Sequence, residues 1–172
     1  LAEGLVKDGV VMDPKTVGQA LKELFQAHKI PESDVLASVS GIHSVYRVTR
    51  LPKLDPELME EAAKREMARL MQVPLDELYI FWKVVTSKAR SGENVVPLIG
   101  IPRETLDFLM ATFRHAGIGC RMIDLKPLAI ARVSDENDSI IINVQPACFD
   151  IVILIDGIPE IMRSLPFSDI KA

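Results

Sequence analysis

The sequence is poor in aromatic residues and in cysteine. Phenylalanine, tyrosine and tryptophan make up 5% of the 172 residues, and Trp82 is the single tryptophan, so few flat side chains can stack on bases or sugars. The two cysteines, Cys120 and Cys148, form no CxxC pair and the three histidines are scattered, which argues against a dense metal site. Two isolated thiols in an acidic chain favour a reducing compartment, so we expect a cytoplasmic protein.

Long apolar runs and an excess of positive charge are also missing. No stretch approaches the roughly 18 apolar residues of a transmembrane helix, and the first residues lack the pattern of a signal peptide. The net charge of -4 gives no positive field to hold a polyanion, so we expect no nucleic-acid partner. Neither GxGxxG nor GxxxxGK[ST] occurs, which leaves dinucleotide and P-loop folds unsupported. Any membrane contact is expected to pass through another protein.

The remaining composition is that of a folded chain. Hydrophobic residues make up 48% and charged residues 26% of the sequence, which is typical of a globular domain or of two small subdomains. The chain opens at Leu1 and its first methionine is Met12, so we expect a piece of a longer protein.

Turn and cap signals divide the first third of the chain. Asp8-Gly9 predicts a tight hairpin, because both residues tolerate a positive φ. Asp13-Pro14 predicts the start of an amphipathic helix that ends at Pro31. A strand over residues 35–39 and an extended run over residues 44–49 follow, separated by Gly41, and we expect this part of the chain to form one small sheet with one helix.

The rest of the chain alternates between helices and strands, as in an α/β fold with mixed sheets. Asp55-Pro56 and Pro102 mark two helix starts, and Gly117 marks a helix end. Asp156-Gly157 predicts a hairpin between the last two strands. The predicted elements are helices over 55–71 and 102–115, a hairpin of strands 78–86 and 95–101 around the polar loop 87–94, a strand over 120–125, a short helix over 126–132, an acidic loop over 134–138, and strands over 139–144, 149–155 and 158–164.

Several local strings occur in a family-specific order and spacing. They are residues 10–14 (VVMDP), 37–41 (ASVSG), 46–52 (YRVTRLP), 73–75 (VPL), 98–103 (LIGIPR), 116–118 (AGI) and 123–132 (IDLKPLAIAR). In this order they resemble the PilM family of type IV pilus assembly proteins, which are bacterial actin-like proteins related to the cell-division protein FtsA. The resemblance covers nearly the whole chain.

The resemblance implies a partial actin-like (ribonuclease H-like) fold with an inserted α/β subdomain. Residues 1–51 would form part of the first subdomain and residues 52–124 the insert, a small sheet backed by the helices over 55–71 and 102–115. Residues 125–138 would form the connecting helix and acidic loop, and residues 139–172 the first strands of the second lobe.

Actin-like proteins hold ATP and magnesium between two lobes, and the family's second phosphate loop reads Asp-x-Gly. At that place this sequence has Asn143 and Gln145, which the resemblance makes the nucleotide-binding positions. Asn143 lacks the carboxylate charge and Gln145 carries a side chain where glycine would admit phosphate. We therefore expect no cofactor and no catalytic residue in this chain, and the resemblance leaves ATP and magnesium open for a full-length parent.

The resemblance also implies a function. It predicts a cytoplasmic adaptor, peripheral to the inner membrane, that binds the N-terminal cytoplasmic peptide of an inner-membrane pilus or secretion protein. The peptide would dock between the first and inserted subdomains, in a groove walled by the segments around residues 39–48 and 78–85. Two other functions stay open: an FtsA-like filament protein, which would self-associate, and a fragment of an actin-like ATPase or phosphotransferase.

Overall fold

The computed structural model describes residues 1–70, 74–85, 93–146 and 148–167. In chain order the elements are β1 Val6–Lys7, β2 Val10–Val11, α1 Pro14–Ala27, β3 Val35–Val39, β4 Val45–Pro52, α2 Pro56–Leu70, a 3-10 turn Leu75–Glu77, β5 Leu78–Trp82, β6 Glu93–Pro102, α3 Arg103–Ala116, β7 Cys120–Leu125, α4 Lys126–Ala131, β8 Ser139–Val144, β9 Cys148–Ile155 and β10 Ile158–Pro166. The predicted order of elements is confirmed. Most of the predicted loop 87–94 and the first residue of the string 73–75 lie outside the described residues.

Both predicted Asp-Gly hairpins are present. Asp8 and Gly9 have φ values of 51° and 80°, and Asp156 and Gly157 have values of 54° and 73°. These left-handed conformations at both central residues match the twist of the flanking strands, which is why the Asp-Gly dipeptide predicts them.

Helix α1 begins as predicted and ends earlier. The Asp13 carboxylate accepts hydrogen bonds from the backbone of Lys15 and Thr16, which caps the free N–H groups of the first turn. The helix ends at Ala27 rather than at Pro31, because Lys29 adopts a φ of 52° and the Ile30 N–H reaches back to the Phe25 carbonyl. This is a Schellman motif, which stops the helix without a proline.

The sheet pairing differs from the expected small sheet of residues 35–39 and 44–49. Strand β3 pairs in parallel with β7, and β4 pairs antiparallel with β6 in a separate sheet of order β4-β6-β5. The reason is a difference in packing partners. Val35 and Ala37 of β3 pack around the α3 residue Phe113, whereas Val45 and Leu51 of β4 join the core under α2.

The two long central helices lie on different partners. Helix α2 buries Met59, Ala63 and Met67 against Val96 and Leu98 of the β4-β6-β5 sheet, as expected for the insert.

Helix α3 differs from the expectation, because it packs mainly along α1. The two helices come close at Gly18, where a Cβ atom would lie 2.6 Å from the Cβ of His115. The division into four segments remains a prediction, although the pairings of β4 with β6 and of β3 with β7 cross its boundaries.

The last three strands form an antiparallel sheet of order β10-β9-β8. Its inner face contributes Val152, Leu154 and Met162 to a core that also contains Val39 and Leu125, from β3 and β7. Helix α4 packs between the two sheets. Among the described residues no helix is long and apolar enough to cross a membrane.

Candidate functional site

The first candidate region is a buried carboxylate in β9. The Asp150 side chain is 1% exposed and receives hydrogen bonds from Asn143 Nδ2 at 2.9 Å, Gln145 Nε2 at 3.0 Å and Ser164 Oγ at 2.5 Å. The ammonium of Lys126 lies 3.2 Å from the same carboxylate. We call these five residues the Asp150 cluster.

Strand register brings most of the cluster together. Asn143 in β8 and Ser164 in β10 both pair directly with Asp150 in β9, so the three side chains form one row across the sheet. Gln145 follows β8 and closes the turn through a 2.9 Å hydrogen bond from its N–H to the Cys148 carbonyl. Lys126 is the first residue of α4, so the ion pair ties that helix to the sheet.

The predicted nucleotide-binding residues Asn143 and Gln145 therefore lie together, and both side-chain amides donate to Asp150. Magnesium prefers several oxygen ligands, usually carboxylates, water and phosphate. Here the carboxylate is already compensated by Lys126, and no group of three or more His, Cys, Asp or Glu among the described residues could hold a metal. The side chains present do not fit a magnesium site, and their nucleotide-binding role stays a prediction.

Sequence reasoning did not single out Asp150, Lys126 or Ser164. A signal was available in β9, because Asp150 is the one charged residue within the alternating run Cys148–Ile155. A lone carboxylate at an inward position of a strand is buried only with partners. The partners themselves could not be found without the register.

The second candidate region is a groove on the side of the β4-β6-β5 sheet that α2 leaves uncovered. Two adjoining cavities of about 530 and 370 Å³ share Phe81 and Ile99, which form its floor. The Phe81 side chain is 48% exposed. Around it lie Tyr46 from β4 and Leu128 from α4, so the floor is apolar apart from one phenol.

The walls of the groove come from two directions. Along the smaller cavity all six consecutive residues of β7 are in contact with the space, which means that the cavity follows the edge of that strand. In the described part of the chain β7 pairs with β3 alone, so its other edge is open. The larger cavity is closed by residues 134–137 of the acidic loop and by Gly157 of the last hairpin.

The predicted groove walls are found only in part. Phe81, Trp82 and Lys83 of the segment 78–85 contact the larger cavity, whereas the segment 39–48 contributes Tyr46. Strand β7 and the acidic loop were missed, because their approach to β5 depends on how two separate sheets pack.

The electrostatics of the groove differ along its length. Arg132 makes two contacts with the Asp124 carboxylate, and this hydrogen bonding raises the pKa of the Arg132 guanidinium. Burial raises the pKa of the Tyr46 phenol far above its usual range, with a further contribution from Glu160, so Tyr46 stays neutral. The floor is uncharged, and charges stand only on the rim.

These features define a class: a mixed α/β chain with an open groove and a saturated polar cluster. Among solved structures, the chain superposes on a chain of the "PilM-PilN type IV pilus biogenesis complex" with a TM-score of 0.82 and 24% identity over 96% of its length. It also superposes on the cytoplasmic domain of EpsL, an inner membrane component of the type II secretion system of Vibrio cholerae, with a TM-score of 0.64 and 10% identity over 87% of its length.

The comparisons confirm the predicted fold class and the resemblance to the PilM family at the level of the fold. The chain spans about half of each neighbour, 52% of the first and 56% of the second. No family model matches the sequence, and no curated protein does.

Proposed function

We propose that this chain belongs to a cytoplasmic adaptor of a type IV pilus or related secretion platform. The adaptor lies at the inner membrane through a partner, and it binds the cytoplasmic N-terminal peptide of that partner in the groove. The role proposed for the groove is binding, because its floor consists of Phe81, Ile99 and neighbouring apolar side chains.

The observation that carries the proposal is the open edge of β7 beside an apolar floor. An extended peptide can add to a free strand edge through main-chain hydrogen bonds, while alternate side chains enter apolar pockets. Met122 and Phe81 are 50% and 48% exposed, and both line the smaller of the two cavities. A peptide in this position would cover apolar surface that water now contacts.

The fold neighbours support the same class of function. One is a chain of a complex in type IV pilus biogenesis, and the other is the cytoplasmic domain of an inner membrane component of a secretion system. A cytoplasmic domain that belongs to an inner membrane component, as in the second neighbour, is the setting that we propose for this chain.

We also propose that the adaptor works without a magnesium nucleotide at Asn143 and Gln145. The support is that both amides and Lys126 are committed to Asp150. Titration calorimetry of Mg-ATP into a longer parent protein, beside this chain, tests this. Heat of binding that disappears with Asn143→Ala would contradict it.

The adaptor function is tested by titrating a synthetic peptide with the sequence of the cytoplasmic segment of the inner-membrane protein from the same genome. We expect saturable binding to this chain, and Phe81→Ser is expected to weaken it about tenfold or more, because buried aromatic anchors dominate such interfaces. Leu58→Ser is the matched control, since Leu58 is 52% exposed and lies on α2, across the sheet. No binding by the folded wild-type chain would refute the proposal.

A further inference from the structure

The groove has a mostly apolar half and a half with an acidic rim. In the smaller cavity Met110, Met122 and Ile123 surround the shared floor, and Arg121 and Asp124 are the charged residues of the lining. In the larger cavity the rim carries Asp135 and Glu136. A ligand that fills the whole groove must therefore be apolar at one end and polar or basic at the other.

The charges of the acidic rim are available to a partner. Asp135 and Glu136 are exposed, and within the described ranges neither carboxylate makes an ion pair. Arg132, which contacts the same cavity, is already paired with Asp124. In the described lining of the larger cavity, Lys83 then remains as the cation beside the Asp135 and Glu136 carboxylates, while Arg121 lines the smaller cavity. With Arg132 paired to Asp124, the remaining charged side chains at this end of the groove have a negative net charge.

We infer that the groove selects an extended peptide with apolar side chains at alternate positions and with a lysine or arginine at the end that lies over residues 134–137. This rests on the proposed function and specifies its ligand. Side chains of an extended chain alternate in direction, so every second residue would face Phe81 and Ile99. The basic residue would meet Asp135 and Glu136, which gives the peptide a fixed direction in the groove.

The amino-acid composition expected of the proposed partner also supports a basic residue in the bound peptide. Cytoplasmic segments that flank the membrane spans of inner-membrane proteins carry an excess of lysine and arginine. A groove that combines an apolar floor with an acidic rim matches such a segment better than it matches an acidic or uniformly polar one. The acidic rim would also repel acidic peptides, which adds specificity.

The test is a selection of peptides from a random display library by the 172-residue chain. We expect the bound peptides to show alternate apolar residues and one position enriched in lysine or arginine. The same selection is made with Asp135→Lys/Glu136→Lys, for which we expect the basic preference to disappear and acidic residues to replace it. Glu3→Lys/Glu57→Lys is the control, because it makes the same change in net charge at exposed residues that do not line the groove, and it should retain the basic preference.

A second measurement gives the size of the effect. In the best peptide, replacement of the basic residue by glutamine should weaken binding to the wild-type chain about fivefold at low salt. The difference should shrink at high salt, because exposed charges are screened. It should vanish for the charge-reversed variant.

The outcomes separate this inference from the proposed function. Peptides that share apolar residues but no basic position, or the same basic preference in the charge-reversed variant, would overturn the inference and leave peptide binding intact. Failure of the folded wild-type chain to select any peptide would refute peptide binding itself, and the inference with it.

Discussion

The Asp150 cluster and the groove use polar groups in opposite ways. In the cluster, three hydrogen-bond donors and one ammonium converge on a single carboxylate that is 1% exposed. In the groove, the β7 edge and the Asp135 and Glu136 carboxylates stand open beside an apolar floor. A saturated buried cluster makes the surrounding fold rigid, whereas an open edge can bind another chain. The family resemblance marked two members of the cluster, Asn143 and Gln145, as nucleotide-binding positions, and that role stays a prediction.

The cluster also reaches the segment between β3 and β4. Gly41 is buried, and a Cβ atom at this position would overlap the Ser164 hydroxyl and approach Pro127 Cγ to 3.1 Å. Ser164 thus donates to Asp150 from one side and is packed by the Gly41 backbone from the other. The cluster therefore connects three parts of the chain: the β3–β4 turn, α4 and the last sheet.

The largest effect is expected from Lys126→Met. The variant leaves the buried Asp150 carboxylate without a counter-charge, and breaking a buried pair in this way costs about 3 kcal/mol. Urea denaturation followed by circular dichroism measures the free energy of unfolding. Lys64→Met is the matched control, because Lys64 makes a 2.6 Å ion pair with Glu60 on the exposed face of α2, where such a pair contributes about 0.5 kcal/mol.

The cost of Lys126→Met should fall when Asp150→Asn is added, since the remaining buried group is then neutral. Equal unfolding midpoints for Lys126→Met and Lys64→Met would show that the cluster behaves as a surface ion pair, and the contrast between cluster and groove would lose its basis.

A smaller effect is expected from Gly41→Ala. The new methyl group would overlap Ser164 Oγ, and such overpacking costs about 1 to 3 kcal/mol. In a Ser164→Ala background the nearest remaining atoms are Pro127 Cγ at 3.1 Å and the Cβ of residue 164 at 3.2 Å, so Gly41→Ala should cost less there. The four unfolding free energies form a double-mutant cycle. Strict additivity would contradict the close contact between the β3–β4 turn and the cluster.

Local sequence signals predicted the turns, the start of α1 and the end of α3, because Asp8-Gly9, Asp13-Pro14 and Gly117 determine their own backbone conformation. The end of α1 was predicted at Pro31 and lies at Ala27. The pairing of β3 with β7 was not predicted, since it depends on which core each apolar strand can join. The same difference separates the residues of the candidate site. Asn143 and Gln145 were singled out from the sequence by the family resemblance. Their shared partner Asp150 was not, because its contacts depend on the register of three strands.

The smallest effect on stability is expected in the groove, from Phe81→Ser. Phe81 is 48% exposed, so the variant removes little buried surface and should cost less than about 1 kcal/mol. Leu98→Ala is the comparison inside the same sheet, because Leu98 is fully buried under α2 and its loss should cost about 3 kcal/mol. Unfolding in urea measures both. A small loss of stability together with a large loss of peptide affinity would show that Phe81 serves peptide binding rather than folding. A large loss of stability in Phe81→Ser would instead mean that the floor of the groove belongs to the core.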